Sequence, residues 1–179
     1  MKITKTLIEV LVFFALLAIS VSPSFGFFGD DKFEQEVEKE KGAIKLTREV
    51  LAGGYDVVST EELKQMIDNE EDFLLIDTMP FEDSYKKNHI PGAEQFLFPI
   101  PEMVNWDNAL TDNKSLDDFL SLLGDDPQRK IVFYCGFVKC TRSHNGALWA
   151  VKQGYTNVYR HPGGIFAWKG AGYEVEKVD

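Results

Sequence analysis

The sequence predicts an α/β fold with a mostly parallel central sheet, and three observations lead there. Phe73-Leu74-Leu75-Ile76-Asp77 and Lys130-Ile131-Val132-Phe133-Tyr134 are continuous apolar runs, the pattern of strands buried on both faces. Helical patterns fall between these runs, and strands alternating with helices build parallel sheets. The two runs lead to Asp77 and Cys135, at the carboxyl ends where such sheets carry their active sites.

The elements follow in order. Phe27 to Gly42 is charged and reads as a tether or a solvated helix. Ile44 to Leu51 reads as a helix that docks on the domain and ends at Gly53-Gly54. Ser59 and Glu62 form a capping box for a helix with Leu63, Met66 and Ile67 on one face. The strand to Asp77 follows, then the turn Ile90-Pro91-Gly92-Ala93 and a short strand from Glu94 to Phe98. Pro99 and Pro101 open an irregular segment, and Ser115 to Leu123 reads as a helix with Ser115 and Asp118 at its start. After the strand to Tyr134 comes a loop carrying Lys139, Cys140 and Arg142, then a helix from Asn145 to Lys152 that Gly154-Tyr155 ends. Asn157-Val158-Tyr159 is a further strand, Pro162-Gly163-Gly164 turns into a short helix from Ile165 to Lys169, and Tyr173 to Val178 is terminal.

At 179 residues the chain is long enough for one domain with a proper core, parsed from about Asp56 to Asp179, and residues 27–55 form the charged tether and N-terminal helix. Residues 1–26 read as a secretory signal peptide: Lys2 and Lys5, an apolar stretch from Leu7 to Val21 interrupted by Glu9, then small residues up to Gly26. The stretch is short for a membrane span, so the expected location is periplasmic or otherwise exported, with an uncleaved anchor as the alternative. The formal net charge of −10 weighs against nucleic acid and anionic membranes as partners. The cations near Cys135 stand out against it. No cofactor or metal is expected, because the chain carries no CxxC, no HExxH, no Gly-rich nucleotide loop and no metal-ligand cluster.

Both cysteines, Cys135 and Cys140, fall in one loop. In an exported protein a structural disulfide is the default for two cysteines. A bridge this short cross-links little chain and contributes little stability, which favours a chemical role. A strand that stops at a thiol and turns into a helix aims loop N–H groups and a helix N-terminus at that sulfur, a setting that favours thiolate and binds anions.

Three ordered stretches resemble single-domain rhodaneses, the sulfurtransferase family, over roughly residues 57–177. The first is Ser59-Thr60-Glu61-Glu62-Leu63 with Leu75-Ile76-Asp77 and His89-Ile90-Pro91-Gly92-Ala93. The second is the strand, Cys135 and the loop to Arg142-Ser143. The third is Gly154-Tyr155-Thr156-Asn157-Val158-Tyr159 with Gly163-Gly164-Ile165-Phe166-Ala167-Trp168 and Ala171-Gly172-Tyr173. The resemblance implies a three-layer fold with a mostly parallel sheet flanked by helices. Two departures stand out. The Arg that commonly follows the family's aspartate by two positions is Met79 here, and six residues, 136 to 141, separate Cys135 from Arg142. Sulfurtransferase members usually have four residues there, and the related phosphatases and arsenate reductases have five.

The resemblance implies that Cys135 attacks a sulfane sulfur and becomes a persulfide, which a second nucleophile unloads. An ordinary thiol titrates at about 8.5, so it needs help near neutrality. The expected help comes from the loop Gly136, Phe137, Val138, Lys139, Thr141 and Arg142, with the following helix dipole. Arg142 and Lys139 are placed to orient thiosulfate, polysulfide or another anion. The competing role for Arg142 is to hold the loop by pairing with a carboxylate such as Asp77, and for Lys139 it is a solvated side chain. Asp77 and Ser143 are expected to organise the loop. Cys140 is open between a resolving thiol, a sulfur relay, a redox lock and a spectator packed under the loop. His144 is expected to be placed by its helix, His89 to be structural, and Phe166 and Trp168 to be core. The leading function is a periplasmic sulfurtransferase or sulfane-sulfur carrier passing sulfur to a thiol, cyanide, or a protein acceptor such as a respiratory sulfur enzyme. The alternatives are a thiol-based phosphatase or arsenate reductase on the same fold, and a non-catalytic sulfur-binding docking module.

Overall fold

The computed structural model describes residues 30–178, and the predicted leader lies outside them. Five strands form one sheet: β1 (Asp56–Val57), β2 (Leu74–Asp77), β3 (Glu94–Gln95), β4 (Ile131–Tyr134) and β5 (Val158–His161). Their order is β1-β5-β4-β2-β3, and every neighbouring pair is parallel. The helices are α1 (Asp30–Gly53), α2 (Thr60–Asp68), α3 (Leu116–Leu123), α4 (Arg142–Lys152) and α5 (Gly164–Gly170). Among the described residues no helix is long and apolar enough to cross a membrane.

The buried strands alternate between two cores, as a two-residue side-chain period requires. Leu74, Ile76, Ile131, Phe133 and Val158 face Phe119 and Leu123 of α3 and Ala147, Trp149 and Ala150 of α4. Leu75, Val132 and Tyr134 face Leu63 and Met66 of α2 and Ile165 and Trp168 of α5. The sheet is thus sandwiched between helices, a three-layer arrangement. Burial of each large apolar side chain contributes roughly 1.5–3 kcal/mol against exposure. Both predicted capping boxes form, Ser59 with Glu62 before α2 and Ser115 with Asp118 before α3.

Four elements differ from the sequence reading. α1 runs unbroken through Gly42 to Gly53, where the sequence reads a tether or solvated helix to Gly42 and a separate helix from Ile44 to Leu51. Helix tolerates one glycine at a cost of about 1 kcal/mol. This one lies buried with its missing side chain facing Val138, at 4.0 Å for a Cβ built there. β3 is two residues long because its chain leaves the sheet, although Phe96 N–H still donates to Asp77 O at 2.9 Å. β1 pairs Asp56 with Tyr159 and Val57 with Arg160, a short edge strand that sequence did not announce. α4 begins at Arg142 rather than Asn145, which moves Arg142, Ser143 and His144 from the loop into the first helical turn.

The register aligns the carboxyl ends of the central strands. Asp77 lies beside Tyr134, and Tyr134 beside His161. Cys135 follows immediately on β4, the middle strand of the five. The chain from Lys41 onward clusters as one compact unit. In residues 31–40, outside that unit, α1 is solvent-exposed and carries a Lys39–Glu36 ion pair at 3.2 Å.

Candidate active site

The segment after β4 is anchored first through its backbone. Ile165 N–H donates to Cys135 O at 2.9 Å and Phe166 N–H to Gly136 O at 3.0 Å, so the start of α5 holds the strand end. This approach demands glycine at 164. Its φ is +59°, and a Cβ there would stand 2.2 Å from Cys135 O. The chain then turns, with Cys140 N–H donating to Phe137 O at 2.9 Å.

The start of α4 is capped by sulfur. Its N-cap, Thr141, makes no side-chain capping bond; the Thr141 hydroxyl instead receives Lys45 Nζ at 2.8 Å. The first N–H groups of a helix have no intrahelical partner. Here Arg142 N–H donates to the Cys140 sulfur and Ser143 N–H to the Cys135 sulfur. Gly136 N–H adds a second backbone donor to Cys140. The six-residue spacing thus folds both thiols onto one helix start.

Both cysteines are free and buried, and Cys135 Sγ lies against the Cys140 backbone. The Cys135 thiol donates to Cys140 O at 3.5 Å. The neighbouring Cys135 side chain outweighs the opposing effect of burial and, with the Arg142 and Gly136 N–H groups, pulls Cys140 down to about 6. Cys135 is 0 % exposed, and burial together with the neighbouring Cys140 side chain pushes its thiol up. Ser143 opposes that rise: its Oγ lies 3.2 Å from Cys135 Sγ. Arg160 Nε donates to the same Oγ at 2.9 Å, which occupies an oxygen lone pair and leaves the hydroxyl proton for the sulfur.

Arg160 is the hub beneath the loop. Its guanidinium is fully buried and donates to Cys140 O at 2.7 Å, Val138 O at 3.3 Å, Tyr55 Oη at 3.5 Å and Glu49 Oε2 at 2.5 Å. Tyr55 Oη lies 2.8 Å from His144 Nδ1. Since that oxygen accepts from Arg160, its proton goes to His144, and burial holds the imidazole below its ordinary value, hence neutral. Helix α1 supplies Glu49 and also Lys45, whose Nζ donates to Lys139 O at 2.6 Å and lies 3.5 Å from Glu49 Oε1.

The expected site residues divide into two groups. Cys135, Gly136, Cys140 and Ser143 come together around the sulfurs, and Thr141 turns its hydroxyl to Lys45 and Glu49 instead. Among the described residues Arg142 pairs with no carboxylate; its guanidinium donates to Phe98 O and ties α4 to the segment after β3. Phe137, Val138 and Lys139 are exposed on the outer turn, and the Val138 and Lys139 carbonyls are acceptors for Arg160 and Lys45. Asp77 is fully buried, with Oδ1 accepting Met79 N–H at 2.9 Å and Oδ2 without a hydrogen-bond partner among the described residues. It organises the turn after β2 and makes no hydrogen bond to the 136–142 loop. His89 is held by its Nδ1 on Tyr85 O at 2.9 Å. Trp168 is core, but Phe166 is 63 % exposed and stacks near Phe137 at 5.5 Å. α5 has only seven residues and turns Ile165 and Trp168 inward, which leaves Phe166 at the rim.

Sequence reading missed Arg160, Glu49, Tyr55 and Lys45. One signal was available: Arg160 interrupts a strand that must be buried, and a buried charge requires partners.

A sequence search of curated proteins returns no match. Solved structures share the fold. A Bacillus halodurans protein, BH2092, is 19 % identical with a TM-score of 0.54, covering 75 % of this chain and 86 % of that one. Thiosulfate sulfurtransferase from Pseudomonas aeruginosa is 19 % identical with a TM-score of 0.52, covering 73 % of this chain and 23 % of that one. The polysulfide-sulfur transferase of Wolinella succinogenes is 16 % identical with a TM-score of 0.50, covering 75 % and 88 %. The family model for the rhodanese-like domain matches residues 59–171, which contain the whole sheet beyond β1 and both thiols, and the chain therefore belongs to the rhodanese-like domain family.

Proposed function

We propose that this chain is an exported sulfane-sulfur transferase that carries sulfur as a persulfide on Cys135. The observation behind this reading is the position of Cys135: it ends the central strand, receives the Ser143 N–H from the α4 N-terminus, and has the Ser143 hydroxyl at 3.2 Å. Donors aimed at one sulfur stabilise its anion, and they act equally on the charge that develops when the thiolate attacks. Thiosulfate or polysulfide is the proposed donor class, and a thiol, cyanide or a partner protein the acceptor. In the first half-reaction the Cys135 thiolate attacks the terminal sulfur of thiosulfate. A sulfur–sulfur bond forms on Cys135, the old one breaks, and sulfite leaves with its electron pair. In the second half-reaction the acceptor attacks the outer sulfur and Cys135 leaves as thiolate.

The test is the intact mass of the reduced full chain after thiosulfate or polysulfide treatment, with Cys135→Ser alongside. A gain of one sulfur atom that a thiol reverses and that the variant lacks is the expected result. No gain from either donor, with both thiols verified as reduced, overturns it.

A further inference from the structure

We propose that the domain also resolves its own persulfide: Cys140 attacks the loaded Cys135, releasing hydrosulfide and leaving a Cys135–Cys140 disulfide. The inference rests on the persulfide reading above and adds an activity to it, the reduction of sulfane sulfur to sulfide at the expense of a thiol pair.

The geometry supports each part of the step. Cys135 Sγ already lies 3.5 Å from Cys140 O, so the second cysteine sits against the first sulfur and the disulfide closes within this one loop. The Phe137–Cys140 turn brings the second cysteine back over the first. The two sulfurs sit in different surroundings. Cys135 Sγ lies near the carbonyl oxygens of Cys140, at 3.5 Å, and Phe137, at 4.0 Å, which suit a protonated thiol as donor. Cys140 is met by two backbone N–H groups, from Gly136 and Arg142, which suit a thiolate. The contact therefore has a direction. Cys140 is the base that removes the Cys135 proton when Cys135 attacks the donor, and then the nucleophile that resolves the product.

The chemistry balances. After loading, Cys135 carries a persulfide anion and Cys140 a proton. That proton passes to the terminal sulfur, giving Cys135–S–SH and the Cys140 thiolate. The thiolate attacks Cys135 Sγ. The Sγ–Sγ bond forms, the persulfide bond breaks, and HS⁻ leaves with the bonding pair. The sulfane sulfur is reduced by two electrons and the two thiols are oxidised to a disulfide. An external dithiol restores the pair by exchange. The fixed backbone has a part in this. Arg160 holds the Cys140 and Val138 carbonyls from beneath, and Lys45 holds the Lys139 carbonyl, so the Cys140 segment is tied on both sides of the turn.

The experiment uses the reduced full chain under anaerobic conditions, with thiosulfate and, in parallel, inorganic polysulfide, without added reductant. Sulfite and sulfide are counted for thiosulfate, and intact mass is read for both donors. Wild type should release sulfide in equal amount to sulfite and return two hydrogens lighter, and Cys140→Ser should release sulfite, retain the added sulfur and yield no sulfide. A wild-type chain that keeps the added sulfur as Cys140→Ser does overturns resolution and leaves the persulfide reading standing. A Cys140→Ser chain that releases as much sulfide as wild type also overturns it. A chain that neither donor loads overturns both.

Discussion

Arg160 Nη1 donates to the Glu49 carboxylate at 2.5 Å and joins the interior of β5 to α1 across 111 residues of sequence. Glu49 lies outside the segment that matches the family model, yet it neutralises the guanidinium on which two loop carbonyls and Ser143 depend. Removing one partner of a buried pair leaves an uncompensated charge and costs about 3 kcal/mol. Glu49→Ala should therefore lower stability by about that amount in urea titration, and Glu49→Gln, which keeps an acceptor for Arg160, by less. Both variants should load sulfur on Cys135 more slowly, because Ser143 loses its orientation. An alanine variant as stable as wild type removes the structural role of the pair.

Gly164 is the tightest point under the thiol. A Cβ there meets Cys135 O at 2.2 Å and Cys135 C at 2.8 Å, and both are backbone atoms with no freedom to swing away. The positive φ adds its own penalty for any L side chain. Gly164→Ala should cost about 3 kcal/mol or more and displace α5 from the strand end, breaking the Ile165 N–H bond to Cys135 O. Hydrogen exchange at the Ile165 and Phe166 amides reports that displacement directly. Protection equal to wild type at both amides would contradict it.

The strands and helices were legible because their signals are local. Leu74–Asp77 and Ile131–Tyr134 are apolar runs, and Ser59 and Ser115 announce their helices through partners three residues on. Cys135, Cys140 and Ser143 were legible for the same reason, since one short segment carries all three. Arg160, Glu49 and Tyr55 were not. They arrive from β5, α1 and the turn before β1, and only the closed sheet brings them together. Arg142 misled for a related reason: its place in the loop pattern suggested an anion ligand, but the longer loop and the early start of α4 put it in the first helical turn, where its guanidinium reaches Phe98 O.

Asp77 gives the fold a pH dependence with a definite sign. Burial raises its carboxyl to about 6 from 3.8, against the opposing Met79 N–H bond. An acid with a raised folded-state value binds its proton more tightly in the native state. Its stabilising effect is complete below about 4 and is lost as pH rises through about 6. The difference is on the order of 3 kcal/mol. Asp77→Asn removes the ionisation, so the gap between variant and wild-type urea midpoints should widen in favour of the variant from pH 4 to pH 6.5. A gap that stays constant over that range shows that Asp77 does not titrate there.

The two thiols should be chemically distinguishable in the resting protein. Cys140 is drawn down to about 6, chiefly by the neighbouring Cys135 side chain, and Cys135 is pushed up by burial. Cys140 is 7 % exposed and Cys135 0 %, so access and ionisation favour the same residue. Alkylation depends on thiolate. Iodoacetamide near neutral pH should label Cys140 first, with a rate that rises through a midpoint near pH 6, and Cys135 should follow only on unfolding or at higher pH. Cys135→Ala removes the leading cause of the lowering, so the Cys140 midpoint should move upward while Gly136 and Arg142 N–H groups still hold it below that of an ordinary thiol. Peptide mapping of the labelled site separates the outcomes. Labelling of Cys135 before Cys140 would reverse the order in which the two thiols ionise, and with it the assignment of Cys140 as the base and resolving thiol.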